Sequence, residues 1–183
     1  MSDAKTSRWA RLNLVGIAII AALPLVGSYL LYLYWAPTSF VNHGELVGPT
    51  PLPELAAAPD MQALKGKWVF LMVDSGRCEE YCQRKLYLMR QLRLTQGKNM
   101  DRIERAWVID DAIAPAPALM TDYQGTHTLT AAGAGWLSRL PSSRDHLYIV
   151  DPLGNVIMRY PRGADPSGMK KDLSRLLRAS RIG

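Results

Sequence analysis

Residues 14–35 run for 22 positions without a charge, from Leu14-Val15-Gly16-Ile17 to Tyr34-Trp35. As a helix this stretch is about 33 Å long, enough to cross a hydrocarbon core of about 30 Å. Lipid offers backbone groups no water, so a span of this kind must be helical, and a proline such as Pro24 is tolerated there. Tyr29, Tyr32, Tyr34 and Trp35 gather at its far end, as interfacial aromatics do. The competing reading is a cleaved signal peptide, but those have apolar cores of roughly 7–15 residues and small residues before the cut. We therefore expect a single-pass anchor. Lys5, Arg8 and Arg11 precede it and the next Lys or Arg is Lys65, so the positive-inside bias places residues 1–13 in the cytoplasm. In a bacterium the remainder then lies in the periplasm, held to the inner membrane, where disulfides persist.

The chain has 183 residues, 48% of them apolar, which leaves room for one folded domain beyond the anchor. Its formal charge of +6 is spread along the sequence with no zinc-finger, helix-turn-helix or RNA-binding signature, so no nucleic-acid partner is expected. Residues 36–59 are rich in proline (Pro37, Pro49, Pro51, Pro53, Pro59) and read as an extended linker, with His43 a solvated residue within it. The domain is expected over 60–183.

Within that domain Trp68-Val69-Phe70-Leu71-Met72-Val73 reads as a strand buried on both faces. A helical stretch follows in which Cys78, Cys82, Leu86, Met89 and Leu92 fall at intervals of three and four. Arg77, Arg84, Lys85, Arg90 and Arg93 read as its solvated side. A second strand is expected over 103–110, then an irregular region with Pro115 and Pro117 and a short helix around 131–140. Strands over 146–150 and 155–160 flank the turn Asp151-Pro152-Leu153-Gly154, a β-hairpin. Asp165-Pro166 starts a last helix with Leu173, Leu176 and Leu177 as its apolar stripe. Its Lys170, Lys171, Arg175, Arg178 and Arg181 are either solvated or set against anionic lipid or an acidic partner.

Cys78 and Cys82 are the only cysteines, and a strand that delivers two thiols to the first turn of a helix suits thiol redox or soft-metal binding. Helical i, i+4 residues lie about 6 Å apart between Cα atoms, near the long end of the disulfide range, which favours a reducible bond over a structural staple. The helix N-terminus and Arg77 favour Cys78 as nucleophile or first ligand, with Cys82 as resolving thiol or second ligand.

The order βαβ then ββα, with two thiols opening the first helix, resembles the thioredoxin superfamily. Within it the chain is most similar to the membrane-anchored Sco/SenC proteins, which help assemble the copper centre of cytochrome oxidase. The resemblance rests on the single anchor, the Cys78-x-x-x-Cys82 site and Tyr148-Ile149-Val150-Asp151-Pro152-Leu153-Gly154, which matches that family's Tyr-Leu-Ile-Asp-Pro-x-Gly. It implies a role in respiratory-oxidase assembly, by copper delivery or by thiol reduction of a copper-binding subunit.

The chain departs from the family at three places. Gln83 follows the second cysteine where proline is usual, Gly76-Arg77 precede the first, and Ser142-Ser143-Arg144-Asp145 occupy the stretch of the family's copper histidine. Counting back from Gly154, His146 falls where thioredoxins carry a cis-proline beside the thiols. Cys78, Cys82 and His146 would then form a soft, Cu(I)-compatible set, the alternative being a strand-edge histidine bonded locally. His127, in a Gly-Thr-rich stretch, reads as a surface residue. Two other functions compete. One is a non-catalytic membrane-tethered interaction module; the other is a thiol peroxidase, opposed by Leu71 and Ser75 at the Pro and Thr positions of the peroxiredoxin motif Pro-x-x-x-Thr-x-x-Cys.

Overall fold

The computed structural model describes residues 3–34, 42–140 and 143–182, in two compact units divided after Val41. The described part of the first is a single helix, α1 (Asp3–Tyr34), with Pro24 inside it. Its Arg11–Tyr34 portion, 24 residues of mean hydropathy 2.3, is long and apolar enough to cross a membrane. Trp35, and the part of the expected linker up to residue 41, lie outside the described residues.

The second unit contains, in chain order, β1 (Glu45–Pro51), α2 (Pro53–Ala57), β2 (Trp68–Asp74), α3 (Glu80–Leu94), β3 (Ile103–Ile109), α4 (Pro117–Asp122), β4 (Thr126–Thr130), β5 (His146–Val150), β6 (Asn155–Pro161) and α5 (Pro166–Ala179). The strands make one mixed sheet of order β1-β6-β5-β2-β3-β4. β2, β3 and β4 are parallel, whereas β5 runs antiparallel to β2 and to β6. This is the thioredoxin-like arrangement the element order implied.

Each face of the sheet carries its own core. On one face α3 and α5 cover Phe70, Met72, Trp107, Leu147 and Ile149. On the other, Leu52, Leu55, Leu64 and Leu140 cover Leu71, Val73, Val108, Tyr148 and Val150. The unbroken apolar run of β2 follows, since alternate residues are buried on opposite sides.

Residues 42–59 are therefore not the expected spacer. β1 pairs antiparallel with β6, its ladder shifting between Leu46 and Thr50, and Leu52 and Leu55 seal the second core. Pro49 and Pro51 are compatible with this because β1 is an edge strand, where a missing N–H need not break a ladder. His43 likewise is no freely solvated residue. Its backbone N–H donates to Asp172 Oδ2 at 2.7 Å and its Nδ1 lies 3.1 Å from Oδ1. Gly44 N–H and the Tyr160 hydroxyl donate to the same carboxylate, at 2.9 and 3.2 Å. Other differences are smaller. β4 occupies part of the stretch expected to be irregular, the expected 131–140 helix is a single 3-10 turn (Gly135–Arg139), and α3 starts at Glu80 rather than at Cys78.

Burial works to raise the Asp172 carboxyl, but hydrogen bonds from Gly44, His43 and Tyr160 outweigh it and hold it below the usual range. A carboxyl lower in the folded than in the unfolded state adds stability above its unfolded value of about 3.9, and that gain is lost as pH falls through the folded value. Asp172→Ala also leaves buried donors unpaired, so it should lower unfolding free energy by about 2–3 kcal/mol at pH 7. Urea titrations should show the gap from wild type closing as pH drops below about 4.

Candidate thiol-disulfide site

β2 ends at Asp74, and the turn Ser75-Gly76-Arg77-Cys78-Glu79 leads from it into α3. Cys78 N–H donates to the Ser75 carbonyl at 3.0 Å, and Gly76 N–H donates to Asp111 Oδ1 at 3.1 Å. Hydrogen bonds from Ser75, then Gly76 and Ile113, outweigh desolvation and hold the Asp111 carboxyl below its ordinary range. A Cβ on Gly76 would stand 1.7 Å from the Ile113 carbonyl oxygen, so only glycine fits. Gly76→Ala should push the turn off the loop after β3 and lower the melting temperature by several degrees, equivalent to about 1–3 kcal/mol.

Cys78 and Cys82 are joined in a disulfide with their Cα atoms 5.0 Å apart. Cys78 sits in the turn, not on the helix, at φ +48°, a left-handed conformation uncommon for a residue with a Cβ. Leaving the helix is what brings the two Cα atoms closer than the 6 Å that helical spacing implied. Gln83 Nε2 donates to the Cys78 carbonyl at 3.1 Å, a contact proline could not supply. Cys82 lies in the first turn of α3, where unpaired N–H groups concentrate positive potential. Both cysteines are buried, at 2% and 1% exposure, so exchange with a partner requires the turn to open.

Lys85 is a site residue that sequence reasoning placed on the solvated side. It is 1% exposed, and its Nζ lies 2.9 Å from Asp74 Oδ2. The ammonium donates to the carbonyls of Val73 at 2.9 Å and Arg144 at 2.7 Å. It thus ties the end of β2, α3 and the segment before β5 together at the thiol end of the sheet. Burial lowers its pKa, and the hydrogen bond and charge of Asp74 oppose that only in part. Position 85 stands three residues after Cys82 and one before Leu86, within the buried arc Cys82, Lys85, Leu86, Met89, Leu92. An acidic residue closing an apolar strand and a lysine on that arc were the available signal.

His146 opens β5 but does not join the cysteines. Side chains alternate along a strand, and its ring lies 6.0 Å, centroid to centroid, from Tyr148 on the same side. Tyr148 belongs to the core opposite the thiols, whereas Leu147 and Ile149 share the face of Cys78 and Cys82. Among the described residues, no three His, Cys, Asp or Glu side chains are grouped to hold a metal. The donor set for a Cys2His copper centre is not assembled. His127 is half-buried on β4, its Nε2 3.6 Å from Glu104 Oε2.

This architecture has known counterparts. Yeast Sco1 with copper bound superposes with a TM-score of 0.53 at 16% identity, covering 64% of this chain and 82% of that one. Yeast Sco1 in a second structure gives 0.51 at 17%, covering 74% and 96%. ScoI of Arabidopsis thaliana with copper bound gives 0.51 at 13%, covering 65% and 89%. Likeness at these identities is one of fold. No curated protein matches the chain. Residues 68–180, more than half of the sequence, match the family described as transmembrane-like, thioredoxin-like, C-terminal domain. The chain belongs to that family.

Proposed function

We propose that this protein is a membrane-anchored thiol-disulfide oxidoreductase, with residues 1–13 cytoplasmic and the thioredoxin-like domain on the periplasmic, oxidising side. The observation that carries this reading is the position of the Cys78–Cys82 bond, between a left-handed turn residue and the first turn of α3. As a staple it does little. It closes so short a loop that the chain-entropy gain is about 2 kcal/mol, of which holding Cys78 left-handed cancels about 1 kcal/mol. As an exchange site it has what the chemistry needs: two thiols at one helix N-terminus, Arg77 beside the first, and a short turn to open.

In the reductive direction the Cys78 thiolate attacks a substrate sulfur, expelling the other as thiolate. Cys82 then attacks Cys78 in the mixed disulfide and releases the second substrate thiol. Two electrons pass to the substrate, and the two protons of the dithiol leave with them. The test is to mix reduced full-length protein with a disulfide-bonded peptide. Peptide thiols should appear in proportion to Cys78–Cys82 disulfide; a peptide left oxidised overturns the reading.

Copper delivery to a respiratory-oxidase subunit is the second reading. Its support is the shared Cys-x-x-x-Cys and Asp-Pro-x-Gly motifs; against it stands the placement of His146 on the opposite face. In a competitor titration, any Cu(I) taken up by the reduced protein is expected to be held equally well by His146→Ala. A clear weakening would return the histidine to the site.

A further inference from the structure

We propose that the basic face of α5 docks the domain onto an anionic phospholipid surface. α5 is amphipathic: Met169, Leu173 and Leu177 enter the core, while Lys170, Lys171, Arg175 and Arg178 are exposed on the other side, followed by exposed Arg181. Lys170, Lys171, Arg175 and Arg178, with Ser167 and Ser174, line a concavity of about 410 Å³. The acidic residue within the helix, Asp172, is fully buried and turned toward His43, Gly44 and Tyr160, with Arg175 3.7 Å from its carboxylate.

The second observation is where the tether enters. The first residues of the domain, His43 and Gly44, are bonded to Asp172 of α5, and the His43 ring lies 2.6 Å from where a Cβ on Gly168 would stand. His43 follows the end of the apolar helix, Tyr34, by nine residues, which reach no further than about 32 Å when fully extended. With α1 taken as the membrane anchor proposed above, a tether of this length bounds how far the α5 end of the domain can move from the bilayer. Confinement raises the effective concentration of headgroups around the cationic face, so attraction of about fivefold per cation accumulates without new apolar contacts. Because α5 and the cysteines cover the same face of the sheet, docking would hold the thiols close to the membrane, within reach of a substrate anchored in it.

The test uses full-length protein in bilayer nanodiscs, one set of phosphatidylcholine and one with about a third phosphatidylglycerol, and a water-soluble acylating reagent read by mass spectrometry. Lys170 and Lys171 should react about tenfold more slowly in the anionic discs, with Lys65 and Lys98 unchanged. About 0.5 M salt should remove the difference, and Arg178→Gln should reduce it severalfold. Equal rates in the two lipids would overturn the proposal, leaving the face to solvent or to a protein partner. Protection that survives high salt would also overturn it. Nanodiscs expose both leaflets, so the result does not depend on topology, and no thiol is read, so it does not depend on the redox reading.

Discussion

Cys78→Ser is expected to reduce disulfide exchange to the uncatalysed background, whereas Cys82→Ser should stop it one step later. Serine cannot supply the thiolate that attacks a substrate sulfur, and Cys78 is the cysteine placed to do so. It lies outside the helix, in a turn whose Arg77 and Glu79 are exposed, while Cys82 is held in the first turn of α3. With Cys82 replaced, the first attack still occurs but nothing resolves the mixed disulfide, so a covalent adduct should accumulate. Mass spectrometry after quenching with acid should show a 1:1 adduct with Cys82→Ser and none with Cys78→Ser. The reverse pattern would exchange the two roles.

Lys85→Met should lower the stability of the domain by about 3–5 kcal/mol. Removing one member of a buried ion pair leaves the other charge uncompensated, and here the Val73 and Arg144 carbonyls also lose their donor. The double variant Asp74→Asn with Lys85→Met should recover part of the loss, which a mere packing defect would not allow. The pH dependence gives an independent check. Burial lowers the Lys85 pKa in the folded state, so between the folded value and the unfolded value of about 10.4 the unfolded chain binds more protons, and stability rises with pH. Wild type should therefore gain on Lys85→Met as pH rises from neutral toward the unfolded value of about 10.4. Above about 10, Tyr148 works the other way. Burial pushes its hydroxyl up to about 12, so stability is lost there as the unfolded tyrosine ionises first.

Much of the sheet was legible because its central strands must be apolar on both sides or in strict alternation: β2, β3, β5 and β6 were each found within a residue or two. The edge strands were not. β1 carries two prolines and β4 is largely threonine, and an edge strand needs neither a full ladder nor a buried face, so neither pattern is strong. The thiol pair was legible because two cysteines after a buried strand have few other uses. Its surroundings were less so. Cys78 leaves the helix because a left-handed turn closes the disulfide, which periodicity cannot reveal. Lys85 was assigned to solvent because a charge usually is, although its place on the helical arc was that of a core residue. The side on which His146 stands is a matter of strand parity: one step from Leu147 puts it with Tyr148, which counting back from Gly154 does not reveal.

As a thiol-disulfide oxidoreductase, the protein must open and close the Cys78–Cys82 bond reversibly while the domain stays folded. Equilibrating the full-length protein in graded ratios of reduced and oxidised dithiothreitol, then alkylating and weighing it, measures this directly. One smooth two-electron transition is expected, the same from either starting state, with the circular dichroism of the folded domain retained throughout. A bond that resists reduction until the domain unfolds, or thiols that stay free in the oxidising mixtures, would contradict it.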